Sequence, residues 1–336
     1  MKCFITFCKL FYFFLIDLIT FTFRMETENI MSRFSFSEFT FTNEARDTLR
    51  KIVTEIHNEC PGQTQNRYLS RISYHKNSGD MKDIFPNLIS QVPLLLRNLP
   101  LFDEIEKSKI LLLLTGEATG RCVAYSEYNQ SYITDIRPTS TSAELSSGTE
   151  LLSMHNDLCF ASDRCRPERL VLLPHVTDGV IPKTLLATSQ DIKNGLSEED
   201  IKLLSGNNFE MRAGGKLLWP NEEIRKLKIF EDKADGSLKI KMNFSNIRPA
   251  ATLDKGTFLK CEQVLEKLST VALEVGLRDG HQILKGEALI IPNDTVVHGR
   301  DVFASENVKR LLLRSYVVSQ NVVDAHHGNT MLSLRY

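Results

Sequence analysis

Leu151-Leu152-Ser153-Met154-His155-Asn156-Asp157-Leu158-Cys159-Phe160 is the stretch from which the chain is best read, together with a distant partner, Thr295-Val296-Val297-His298-Gly299-Arg300. Side chains alternate across an extended strand, so His155 and Asp157 are expected on one face, close enough to bind one metal ion together. His298 then completes a two-histidine, one-carboxylate set, which leaves three positions open on a six-coordinate ferrous ion and suggests oxygen chemistry. With eight histidines in 336 residues, an H-x-D triplet arises by chance too readily to stand alone. A third stretch sharpens it. Lys309-Arg310-Leu311-Leu312-Leu313-Arg314-Ser315-Tyr316-Val317-Val318 reads as an apolar strand with Arg310, Leu312, Arg314 and Tyr316 on one face. A buried guanidinium is costly unless an anion meets it, and a dicarboxylic co-substrate is such an anion.

The rest of the composition is that of a globular chain able to bury one sizeable core: 42% hydrophobic, 25% charged, net charge −1. Basic residues are balanced by acids without a basic stripe, and the single tryptophan, Trp219, offers no stacking platform, so nucleic acid is not an expected partner. Residues 1–24 are apolar but interrupted by Lys9 and Asp17, without a small-residue cleavage site. Three readings stay open for them: an upstream-start artefact or unstructured leader, a signal or anchor, or a core element. No stable membrane association is expected unless that leader is a real anchor. Seven cysteines show neither disulfide-framework nor zinc spacing, which points to a reducing cytoplasm. Cys159, two residues past Asp157, is either a buried core residue or a thiol near the metal.

From about 25 to 110 the chain reads as a helical scaffold. Leu49, Ile52, Val53 and Ile56 follow helical spacing behind Asn43, an expected N-cap. Further short helices are expected at Phe85–Leu95 and Asp103–Leu113, with strands and a loop over Thr115–Ser147. Leu170–Leu173 and Thr184–Thr188 read as buried strands. Ser197 is an expected N-cap for a helix ended by Gly206. Residues 207–236 read as a lid-like insertion, Thr257–Val275 as a packing helix, and 321–336 as a tail.

Taken in order, Glu150–Phe160, Arg166–Leu173, Lys183–Ala187, Gly286–Asp294, Val297–Arg300 and Lys309–Val318 resemble the Fe(II)/2-oxoglutarate-dependent dioxygenases of the clavaminate synthase-like superfamily. Within it the similarity is to hydroxylases of amino acids such as asparagine, arginine and lysine. The resemblance implies a mainly β fold with flanking helices (α+β), a distorted double-stranded β-helix or jelly-roll barrel, over 111–320. It implies Fe(II) on His155, Asp157 and His298, with 2-oxoglutarate and O2 as co-substrates and succinate and CO2 as co-products. Arg310 and Thr184 are implied at the distal carboxylate of 2-oxoglutarate, while Arg314 is implied either beside them or at a substrate carboxylate. Glu144, Glu150 and Asp254 are candidates for contacting an amino-acid substrate. The loop from Asp301 to Lys309 is about two residues shorter than in many relatives, and Asp157 stands where many amino-acid hydroxylases carry glutamate. Members that transfer halide lack this carboxylate, so hydroxylation is implied over halogenation. Two other classes stay open: a zinc-dependent hydrolase on the same three ligands and a catalytically silent, cupin-like binding barrel.

Overall fold

The protein is described by a computed structural model over residues 36–62, 64–78, 81, 84–85, 88–128, 130–138, 147–211, 225–304 and 308–334. Residues 1–24, Glu144, Trp219 and the middle of the 207–236 insertion lie outside the described residues.

Two sheets organise the molecule. The larger runs in the order β1 (Ser37–Thr40), β2 (Leu94–Arg97), β13 (Ala288–Pro292), β6 (Arg169–Asp178), β15 (Lys309–Val318), β3 (Arg121–Tyr125) and β16 (Met331–Leu332), with β4 (Thr134–Ile136) also paired to β15. The smaller holds β14 (Val296–Arg300) between β5 (Leu152–His155) and β7 (Thr184–Thr188), antiparallel on both sides. Their strands are near-continuous apolar runs because both faces are covered. Along the larger sheet Leu170, Leu172, Leu289, Ile291 and Leu312 point inward, where they meet Leu186 and Val296 of the smaller sheet in one cluster. The alternate residues Val171, Leu173, Ile290, Leu311 and Leu313 point outward.

That outward face is covered by helices. In α1 (Asn43–Glu59) Leu49, Ile52, Val53 and Ile56 are the buried positions, as their spacing predicts. They join the same core as Ile110–Leu114 of α3 (Ile105–Thr119), with α2 (Gln65–Ser78) beside them. The outer face of the smaller sheet is closed in the same way. Leu185, Ala187 and Val297 pack under Cys261, Val264, Leu265, Leu268 and Ala272 of α6 (Lys255–Asp279). The result is a mixed α/β architecture, helices outside two facing sheets.

Several expectations are corrected. The cap of α1 is Thr42, whose hydroxyl accepts from the Ala45 amide, rather than Asn43. No helix spans Phe85–Leu95: among the described residues, Leu94–Arg97 is a strand paired to Ser37–Thr40 and to β13. The segment before α3 therefore lends the large sheet two strands as well as its helical cover. Pro93, with no amide hydrogen, stands directly before that strand. The described parts of 207–236 supply Phe209, Met211, Leu227, Ile229 and Phe230 to the core beneath α6. The C-terminal segment is likewise integrated, with β16 parallel to β3 and Leu332 and Leu334 buried. Ser197 does cap a helix, α5 (Glu198–Leu204), in a capping box with Asp200. No helix among the described residues is long and apolar enough to cross a membrane.

Candidate metal centre

The two histidines meet because β5 and β14 are neighbours in the smaller sheet, with His298 directly opposite His155. Their rings stand 4.6 Å apart. Between them, Gly299 makes the close approach possible: a β-carbon there would fall 2.6 Å from the Leu152 carbonyl oxygen and 3.0 Å from Met154 Sδ. This is a physical reason for glycine after the second histidine.

Asp157 arrives differently from the sequence expectation. The strand ends at His155, and Asp157 opens a turn in which Leu158 has φ +52°. Simple strand alternation therefore does not place the carboxylate. Two buried asparagines do. Asn156 donates from Nδ2 to the carbonyls of Asn293 (2.8 Å) and Val296 (3.0 Å), and its Oδ1 accepts from the Met242 amide at 2.9 Å. Asn293 accepts from the Asp157 amide at 2.9 Å and donates to the carbonyls of Asp157 (2.8 Å) and Pro167 (2.9 Å). Every backbone polar group of the turn that these bonds reach is thereby satisfied in the interior.

The carboxylate so placed has its Oδ1 3.3 Å from His155 Nε2 and 3.9 Å from His298 Nε2. Ligand atoms of all three residues lie within 4.8 Å of one another. His155 Nδ1 lies 2.8 Å from the Ser153 carbonyl oxygen, which can only accept, so Nδ1 carries a hydrogen and Nε2 is the ring nitrogen left to face a metal. Burial, reinforced by His155, pushes the His298 imidazole down to about 3, so that ring is neutral at physiological pH. Burial pushes the Asp157 carboxyl up, but Arg314 and the two histidines outweigh it and hold that group well below the usual carboxylate range. A divalent cation requires unprotonated imidazole nitrogens and an ionised carboxylate, and His298 and Asp157 are held in those states. The donor set fits Fe(II), with one face of the coordination sphere left free.

From the facing sheet, Arg314 Nη1 donates to Asp157 Oδ2 at 2.8 Å and Tyr316 Oη donates to the same oxygen at 3.0 Å. The predicted shared face of β15 thus reaches the metal centre. Arg310, four residues before Arg314 on that face, is 7% exposed, and no carboxylate among the described residues pairs with it. Burial and the nearby charge of Arg300 lower its guanidinium to about 10. A buried arginine that feels a second cation and has no acid among the described residues has the chemistry to receive an anion. Arg300 stands opposite Thr184 in the β14–β7 ladder, and Thr184 is buried.

The remaining candidates are placed less centrally. Glu150 is exposed, and its carbonyl accepts from Arg300 at 2.6 Å. Asp254 is exposed and serves as the N-cap of α6, its Oδ1 accepting from the Gly256 and Thr257 amides and its Oδ2 from the Thr257 hydroxyl. Cys159 does not continue a strand face: it is buried against Met211 Sδ at 3.9 Å, and burial pushes its thiol up to about 12. His175 is half-buried and bonded to Ser108 at 2.9 Å. Sequence reasoning missed Asn156, Asn293 and Arg300. Their only signal was position, inside or beside the motifs that carry the ligands.

No protein-family model matches the sequence, and no curated protein does. Solved structures do match. An asparagine oxygenase in complex with Fe(II), 2S,3S-3-hydroxyasparagine and succinate is similar over 88% of this chain and 99% of its own, with TM-score 0.69 and 17% identity. The non-heme iron oxygenase OrfP in complex with Fe and α-ketoglutaric acid is similar over 85% of this chain and 95% of its own, with TM-score 0.61 and 14% identity. The same oxygenase with Fe, succinate and (3S)-hydroxy-L-Arg is similar over 84% and 94%, with TM-score 0.61 and 15% identity. At these identities the similarity establishes a shared fold.

Proposed function

We propose that this chain is an Fe(II)- and 2-oxoglutarate-dependent oxygenase that hydroxylates an unactivated C–H of a free amino acid or related small metabolite. The observation that carries it is the convergence of His155, Asp157 and His298 at the smaller sheet and the turn after it, together with a buried arginine, Arg310, on the facing sheet that lacks an acidic partner among the described residues. The oxygenases of the same fold, crystallised with hydroxyasparagine and hydroxyarginine, support an amino-acid substrate. In this reading the two facing sheets form a distorted double-stranded β-helix over 111–320, to which the described residues of 36–110 add two strands and a helical scaffold.

Iron with 2-oxoglutarate and O2 supplies the oxidising power, and the products are succinate, CO2 and the hydroxylated substrate. The protein supplies placement. His155, Asp157 and His298 hold one face of the ion, and Arg310 with Thr184 receives the distal carboxylate of 2-oxoglutarate. Arg314 braces Asp157 from the same strand. Glu150 and Asp254, together with Glu144, remain the candidate substrate contacts.

The test is an anaerobic titration of metal-free protein with Fe(II) and 2-oxoglutarate, followed by the visible charge-transfer band of the chelate. The band is expected in the intact protein and absent in His155→Ala. In Arg310→Ala it should require roughly a hundredfold more 2-oxoglutarate, the cost of removing one buried charge-assisted pair of about 3 kcal/mol. Succinate released in proportion to added amino acid then identifies the substrate. No band despite bound metal would refute the co-substrate assignment.

A further inference from the structure

The two oxygens of Asp157 face different neighbours. Oδ1 lies toward both histidine Nε2 atoms, at 3.3 and 3.9 Å, whereas Oδ2 is taken by Arg314 at 2.8 Å and Tyr316 at 3.0 Å. We propose that Tyr316 is a positioning residue of the metal centre: with Arg314 it occupies Oδ2, so that Asp157 grips the metal through Oδ1 alone. The inference rests on the metal-site reading above and goes beyond it.

The consequence is a matter of counting positions. A carboxylate binds a divalent ion through one oxygen or through both. Gripping through both would consume one of the three positions that a two-histidine, one-carboxylate face leaves open. Chelating 2-oxoglutarate needs two of those and O2 the third, so a two-oxygen grip leaves the reaction one position short. Two donors on Oδ2 oppose that slide. They are themselves held: Arg314 Cζ lies 4.7 Å from the Tyr316 ring centre, and Tyr125 meets that ring edge-on at 5.8 Å. Tyr125 in turn donates to the Cys165 carbonyl at 2.6 Å. The hydroxyl of Tyr316 is thus delivered from a ring held by two contacts, on a strand of the opposite sheet.

Tyr316→Phe removes that hydroxyl and keeps the ring contacts, so the variant is expected to fold. The readout is the number of metal-bound waters in Mn(II)-loaded protein, counted by pulsed electron paramagnetic resonance in isotopically labelled water. Intact protein is expected to show its open positions filled by water, and Tyr316→Phe to show one fewer. A thermal melt of the metal-free variant confirms that it is folded. An unchanged water count in folded Tyr316→Phe overturns the inference. Because the count needs neither 2-oxoglutarate nor turnover, intact protein that binds Mn(II) but never releases succinate refutes the oxygenase reading alone. An intact protein whose Mn(II) binding survives His155→Ala overturns the metal site and this inference with it.

Discussion

Asn293→Ala tests how the ligand turn is held. Asn293 is fully buried, and its side chain makes three hydrogen bonds, to the amide and carbonyl of Asp157 and to the carbonyl of Pro167. Truncation leaves all three backbone groups without that partner in the interior. At about 1 kcal/mol net for each bond the loss is about 3 kcal/mol, roughly a hundredfold in the folding equilibrium. Urea unfolding of the metal-free protein reads this directly. Metal affinity should fall in parallel by on the order of tenfold, since residues that orient a ligand carry effects of that size. Asn293→Asp sharpens the test. It preserves the acceptor for the Asp157 amide but sets an acceptor against two carbonyls, so it should be at least as damaging as alanine. A loss below about 1 kcal/mol with unchanged metal affinity would refute the claim that Asn293 places Asp157.

Gly299→Ala should destabilise the protein by on the order of 1–3 kcal/mol, because the new β-carbon would meet the Leu152 carbonyl at 2.6 Å and force β5 from β14. Weaker metal binding should accompany it; a melting temperature and metal affinity equal to the parent's would show that the strands need no such approach. Cys159, its thiol raised to about 12 by burial, should resist iodoacetamide at pH 8 in the folded protein and react after denaturation. The sign follows from the direction of the shift: the thiolate is the reactive form, and at pH 8 the buried thiol stays protonated. Labelling of Cys159 in the native state by peptide mapping would contradict its placement in the core.

The sequence was informative where the physics is local. Alternation along Lys309–Val318 foretold both a strand with those bounds and a shared face for Arg314 and Tyr316, because side chains in a strand have period two whatever surrounds them. Helical spacing marked the buried stripe of α1 and most of that of α6, since those faces are set by 3.6 residues per turn. It was less informative where the competing signals are both weak. Phe85–Leu95 is as apolar as a buried helix, and only pairing with β1 and β13 makes Leu94–Arg97 a strand. Asp254, an acid just before a helix, suits a cap and a substrate contact equally well until its hydrogen bonds are seen.

By itself the sequence determined which residues have the chemistry to bind a divalent metal and an anion, and that they sit on or beside apolar strands. Tertiary structure decided how they meet. His155 and Asp157 do not share a strand face; the turn between them is shaped by Asn293, far along the chain, and braced by Arg314 and Tyr316 from the opposite sheet. The physical reason is that a ligand's type is written in one residue. Its direction depends on which distant groups satisfy the buried polar atoms around it, and those partners are chosen only when the sheets close on each other.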